Sequence, residues 1–138
     1  MSRTPATPIA SRRSNLPAAA RAAGPLPRPA ALATFFHGLA DPTRIRILEL
    51  LRERPRTVTE LVADLGLAQG RVSSHLACLR WCGYVVGEVD GRFTRYRLVD
   101  ERVRTILELG EAIVRDNASR LTSCLVLATE ATPAATEP

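Results

Sequence analysis

The spacing of apolar and polar positions divides the chain into short helices, a strand pair and a longer closing helix. Leu32, Phe35, Phe36 and Leu39 fall on one helical face and predict a first helix over residues 29–39. Asp41-Pro42 predicts the start of a second. The Asp side chain can accept a free N–H of the first turn, and Pro fits the first helical position, where its missing N–H costs nothing. That helix extends to about Arg54, with Ile45, Leu48 and Leu51 inward and arginines outward, and Pro55 stops it. Thr57-Val58-Thr59-Glu60 has the spacing of a capping box, so a third helix covers 58–65 and closes at Gly66. After a turn at 67–69, Val72, Leu76 and Leu79 form the core stripe of a fourth helix over about 70–82, with Gly83 as its stop. The runs YVVGEV and RFTRYRLV, joined at Asp90-Gly91, predict a β-hairpin. A last helix from about Asp100 to Leu121 carries Val103, Ile106, Leu107, Leu109, Ile113 and Val114, more apolar surface than one small core requires.

This order predicts a mainly α protein with a β-hairpin wing (α+β), a winged helix-turn-helix forming a homodimer through its first and last helices. Residues 1–28 hold five arginines and no acid among many Pro, Ala and Ser, the composition of a disordered basic arm. The folded DNA-binding and dimerisation domain is expected over 29–124, with a flexible C-terminal tail at 125–138.

Charge changes this picture in part. All 19 basic residues are arginine, and the net charge is +5. Arginine's planar fork suits phosphates and base edges, though an arginine-only complement also follows from GC-rich coding. Beyond the arm, 29–100 holds ten arginines against eight acids, and 101–138 four against six. No stretch approaches the roughly 20 apolar residues of a membrane span, and the N-terminal segment lacks the apolar run of a secretory signal. Three cysteines are too few for a disulfide framework, which points to thiols in a reducing cytoplasm.

The candidate DNA-binding residues are Gln69, Arg71, Ser73, Ser74 and His75 at the start of the fourth helix, with Arg92, Arg95 and Arg97 in the hairpin. The N-terminal part of the second helix of a helix-turn-helix enters the major groove. There Gln pairs with adenine, Arg with guanine or phosphate, and short hydroxyls with either. Arg92, at the hairpin tip, suits the minor groove or the backbone. Each of these arginines could instead belong to a solvated strand face, and His75 could serve in packing.

Cys78 and Cys82 lie four apart on the fourth helix, which brings their Cβ atoms to about 5–6 Å. Two thiolates at that spacing can ligate one soft ion without completing its site. Cys124 could supply a third sulfur. Such a set favours a large thiophilic ion, Cd(II) or Pb(II), with As(III) possible, whereas Zn(II) normally takes a fourth ligand. Each cysteine taken singly could be a small packing residue. Oxidation of the Cys78/Cys82 pair is a further alternative, while a thiol oxidoreductase lacks its C-x-x-C and its βαβ surroundings.

The segments LADPTRIRIL, SSHLACLR and GRFTRYRLVD resemble the ArsR/SmtB family of metal-responsive repressors over about residues 32–124. The resemblance implies a homodimeric winged helix that holds double-stranded operator DNA until an inducer binds. Within that family, HLACLRWCGYVV is similar to the cadmium- and lead-sensing CmtR type. It implies that Cys78 and Cys82 of one subunit bind the metal with a cysteine from the C-terminal region of the other, for which Cys124 is the candidate. The cysteine pair of other arsenic and cadmium sensors is absent from ELVADL, and DERVRTILELGE lacks the histidines of zinc and nickel sites.

Overall fold

A computed structural model describes residues 24–130. The expected basic arm, apart from its last few residues, and the end of the expected tail lie outside them. The elements in chain order are α1 (Arg28–His37), α2 (Pro42–Glu53), β1 (Arg56–Thr57), α3 (Val58–Leu65), α4 (Gln69–Trp81), β2 (Val85–Asp90), β3 (Phe93–Leu98), α5 (Glu101–Asp116) and α6 (Ala118–Glu130).

Local chemistry sets most of these boundaries. The Asp41 carboxylate accepts the Arg44 N–H at 3.0 Å, and Pro42 opens α2. Thr57 and Glu60 form the reciprocal capping box of α3, in which the Thr57 hydroxyl accepts the Glu60 N–H and the Glu60 carboxylate accepts the Thr57 N–H at 2.7 Å. Gly66 closes α3 with φ +65, in the left-handed region that favours glycine.

Four features differ from expectation. A two-residue strand, β1, pairs with β3 through Arg56–Tyr96 and Thr57–Arg95, so the hairpin belongs to a three-stranded antiparallel sheet ordered β1-β3-β2. The hairpin loop is Gly91-Arg92 rather than Asp90-Gly91, because Asp90 pairs directly with Phe93. Gly91 has φ +61 and, among the described residues, no non-glycine residue has positive φ, so Arg92 does not, the pattern a type II′ turn demands. The closing helix is broken at Asn117, whose φ of −123 leaves the helical region and whose amide donates to the Ile113 carbonyl at 3.0 Å. The chain then re-enters a helix to Glu130, so residues 125–130 of the expected tail are helical.

The core joins Ile47, Leu48 and Leu51 of α2, Leu61 of α3, Val72, Leu76 and Leu79 of α4, Tyr84 and Val85, and Val103 and Leu107 of α5. Burying each such side chain stabilises by about 1.5–3 kcal/mol. Ile45, expected inward, is only half-buried; Ile47 takes the core position. Leu32 and Phe36 of α1, and Leu109, Ile113 and Val114 of α5, remain about half exposed or more.

Candidate nucleic-acid interface and metal centre

α3 and α4 meet across the Gly66 turn, and α4 turns its apolar stripe inward at Val72, Leu76 and Leu79. The opposite side of its first two turns exposes Gln69, Gly70, Arg71, Ser73 and Ser74. Ala68, at the N-cap, offers no side-chain acceptor, which leaves the positive end of the helix dipole open to an anionic ligand. The Arg71 side chain has no hydrogen bond or ion pair among the described residues. His75 lies apart from this group. It is half-buried, with Nδ1 3.9 Å from the Asp41 carboxylate, facing the start of α2. The Arg44 N–H, followed by the nearby His75 and Arg44 side chains, holds the Asp41 carboxyl below its ordinary range against a partial desolvation penalty.

The hairpin's three arginines are not equivalent. Arg92 occupies the loop, exposed and without an ion pair among the described residues. Arg95 lies 3.3 Å from Asp90 and 3.7 Å from Glu60, and Arg97 lies 2.7 Å from Glu88. Much of the charge expected of the wing is therefore balanced within the protein. Glu60 was recognisable from sequence as a capping residue, but its approach to Arg95 depends on β1 bringing α3 beside β3. Arg80, exposed near the end of α4, also lacks an ion pair among the described residues.

Cys78 and Cys82 are both half-buried at the C-terminal end of α4, where the Cys82 N–H donates to the Cys78 carbonyl at 3.0 Å. Burial pushes the Cys82 thiol above its ordinary range, the neighbouring Cys78 thiol adds to the effect, and the Arg44 guanidinium opposes it. Trp81, between them in sequence, is 53% exposed. Cys124 is exposed on α6. Among the described residues, no three His, Cys, Asp or Glu side chains gather into a metal-binding group. One chain thus presents a soft, two-sulfur donor set that fits part of a thiophilic metal site, and Cys124 does not complete it within the same chain.

A helix-turn-helix with an open, polar N-terminal end on its second helix, followed by a sheet that projects an arginine at its hairpin tip, defines a winged-helix DNA-binding protein. Residues 41–86 match the family described as bacterial regulatory protein, arsR family. The chain is 42% identical over 100 residues to a probable mercury resistance operon repressor of Streptomyces lividans, covering 72% of this chain and 80% of the relative. It is 44% identical over 88 residues to the transcriptional regulator CmtR of Mycobacterium tuberculosis, covering 63% and 75% respectively. The homodimeric winged helix-turn-helix DNA-binding domain of Mb0332 from Mycobacterium bovis, solved in solution, superposes with a TM-score of 0.60 at 28% identity, over 69% of this chain and 91% of that domain. The chain belongs to the ArsR family, and it is a DNA-binding transcriptional regulator rather than an enzyme.

Proposed function

We propose that this protein is a homodimeric, metal-responsive repressor whose operator complex is released by Cd(II) or Pb(II), bound by Cys78 and Cys82 of one protomer and Cys124 of the other. The observation that carries the reading is the thiol pair at the end of the DNA-reading helix, a soft donor set that lacks its third ligand within one chain. The similar proteins named as a mercury resistance operon repressor and as CmtR support a thiophilic inducer. Exposed Leu32 and Phe36 on α1, with Leu109, Ile113 and Val114 on α5, supply the apolar surface for a second copy. Gln69, Arg71, Ser73 and Ser74 then face the major groove, and Arg92 the backbone or minor groove beside it. Arg95, Arg97 and His75 take secondary parts, since each already faces a carboxylate.

For metal to release DNA, it must bind the DNA-incompetent arrangement more tightly than the competent one. Mercuric ion is the second reading, favoured by the two-sulfur set of a single chain and by the Streptomyces relative. Oxidation of the pair is disfavoured by geometry. Helical i, i+4 spacing holds Cβ atoms about 5–6 Å apart, whereas a disulfide needs roughly 3.5–4.5 Å, so the helix end would have to unwind.

The deciding experiment titrates the reduced protein on its own promoter DNA with Cd(II), Pb(II), Hg(II), Zn(II) and arsenite, and repeats it with Cys78→Ser, Cys82→Ser and Cys124→Ser. Ultraviolet sulfur-to-metal bands count the thiolates. Three thiolates and release by Cd(II) or Pb(II) support the first reading. Two thiolates, with Cys124→Ser behaving as wild type, support the second. Release by peroxide alone would overturn both.

A further inference from the structure

The thiol pair is mechanically tied to the turn between α1 and α2. A Cβ built on Gly38 would stand 3.0 Å from the Cys82 sulfur, 3.0 Å from a Tyr84 ring carbon and 3.1 Å from the Phe35 carbonyl oxygen. Gly38 has φ −57 and ψ −27, which any residue adopts, so glycine serves here for space rather than conformation. The same turn is gripped by Arg44, whose guanidinium also lies close enough to Cys82 to act on its thiol. The Arg44 Nε donates to the Gly38 carbonyl at 2.7 Å, an oxygen the end of α1 leaves without a helical partner, and its Nη2 donates to the His37 carbonyl at 3.1 Å, which also accepts the Ala40 N–H at 3.0 Å. Tyr84 donates its hydroxyl to the Phe35 carbonyl at 2.7 Å and stacks on the Phe35 ring at 4.5 Å. At the far end of the turn, Asp41 caps α2 and faces His75 of α4.

Residues 38–41 therefore touch α4 at two places, beside a thiol and beside His75, and they carry α1 with its exposed Leu32 and Phe36. We propose that this turn, locked to the end of α1 by Arg44, is the element that couples the thiol pair to the dimer arrangement and so to DNA. Arg44 acts as a positioning residue. Gly38 has no side chain to rotate away, and close-packed contacts transmit displacement rather than absorb it. A shift of the Cys82 sulfur is thus passed to the α1 end as a unit, and a rotation of protomers about their interface separates the two reading helices from their half-sites.

This inference rests on the metal reading above, and three measurements on the full chain keep the two apart: a Cd(II) titration followed by ultraviolet bands without DNA, operator affinity without metal, and operator affinity with saturating Cd(II). At saturating Cd(II), Arg44→Met should keep the wild-type number of sulfur-to-metal bands, loss of its charge near Cys82 raising only the Cd(II) concentration required, and should keep the metal-free operator affinity within about threefold, while the metal-induced weakening falls from about 5–150-fold towards none. Arg44→Lys, which can still reach a carbonyl, should recover part of it. Asp41→Asn keeps a competent N-cap but removes the charge facing His75, and should also reduce the coupling. Thermal unfolding verifies that each variant is folded. Wild-type coupling in both Arg44→Met and Asp41→Asn overturns the proposal while sparing the metal site, as does parallel loss of metal binding and coupling. Absence of sulfur-to-metal bands in the wild type overturns the metal reading and this inference with it.

Discussion

The two ends of α4 are built on opposite terms. The N-terminal end presents a face of short or unpaired polar groups to solvent, has no side-chain cap and is anchored in its first turn by the buried Val72. The C-terminal end is wedged, with Cys82 against Gly38 and the Tyr84 N–H held by the Leu79 carbonyl at 2.9 Å. One end is free to meet DNA and the other is committed to the fold. Thirteen residues of helix, about 20 Å, separate them, with Val72, Leu76 and Leu79 fully or almost fully buried between. A rigid rod fixed at one end and open at the other can carry a displacement from a sensor to a reader; two flexible ends could not.

The largest expected effect comes from breaking the rod itself. Leu76→Ala should cost about 2–5 kcal/mol in denaturant unfolding, because it leaves a cavity where the residue is 1% exposed. It should also impair both ends together. Next come two substitutions that separate the ends. Cys82→Ser should abolish the metal response while leaving metal-free operator affinity unchanged. Arg71→Ala should weaken operator binding by about 1–3 kcal/mol if it reads a base, while leaving the sulfur-to-metal bands intact. Fluorescence anisotropy with labelled promoter DNA checks both. If either variant damages both properties at constant stability, the division between the two ends is wrong.

The two ends also differ in how far the sequence reveals them. Signals confined to a few residues were legible: Asp41-Pro42, the Thr57/Glu60 capping box, Gly66, and the Val72/Leu76/Leu79 stripe all mark what they were expected to mark. The exposed group from Gln69 to Ser74 follows from the same stripe, since fixing the buried face fixes the other. Contacts across long sequence separations were not legible. The approach of Gly38 to Cys82 depends on the angle between α1 and α4, and β1 is too short to carry a periodic pattern. Ion pairing of Arg95 and Arg97 depends on strand register, which places Glu88 opposite Arg95 and Val86 opposite Arg97. The break at Asn117 interrupts an apolar pattern that continues on both sides of it.

The wing repeats the contrast between free and committed groups on a smaller scale. Arg92→Ala should lower the slope of log affinity against log salt by about 1 if it contacts a phosphate, since each neutralised phosphate releases close to one counterion. Arg95→Ala should change the slope less, because its charge already faces Asp90 and Glu60. Equal effects would mean that DNA displaces those internal partners.

Glu60→Gln tests that balance from the acidic side and should have the smallest effect. Gln can still serve in a capping box, so α3 keeps its start. The charge beside Arg95 and Arg54 disappears, however, leaving the wing more positive, so operator affinity and its salt slope should rise slightly. The Thr57 N–H, then the Arg54 guanidinium, hold the Glu60 carboxyl below its ordinary value of 4.5. A depressed folded-state value stabilises the protein fully above the ordinary range, and that contribution is lost as pH falls through the lower value. Wild-type stability should therefore decline with acid in that window, and Glu60→Gln should flatten part of the decline. Thermal unfolding across the acid range measures this directly. An unchanged slope would mean that other carboxylates, such as Asp41 and Asp100, carry the acid sensitivity instead.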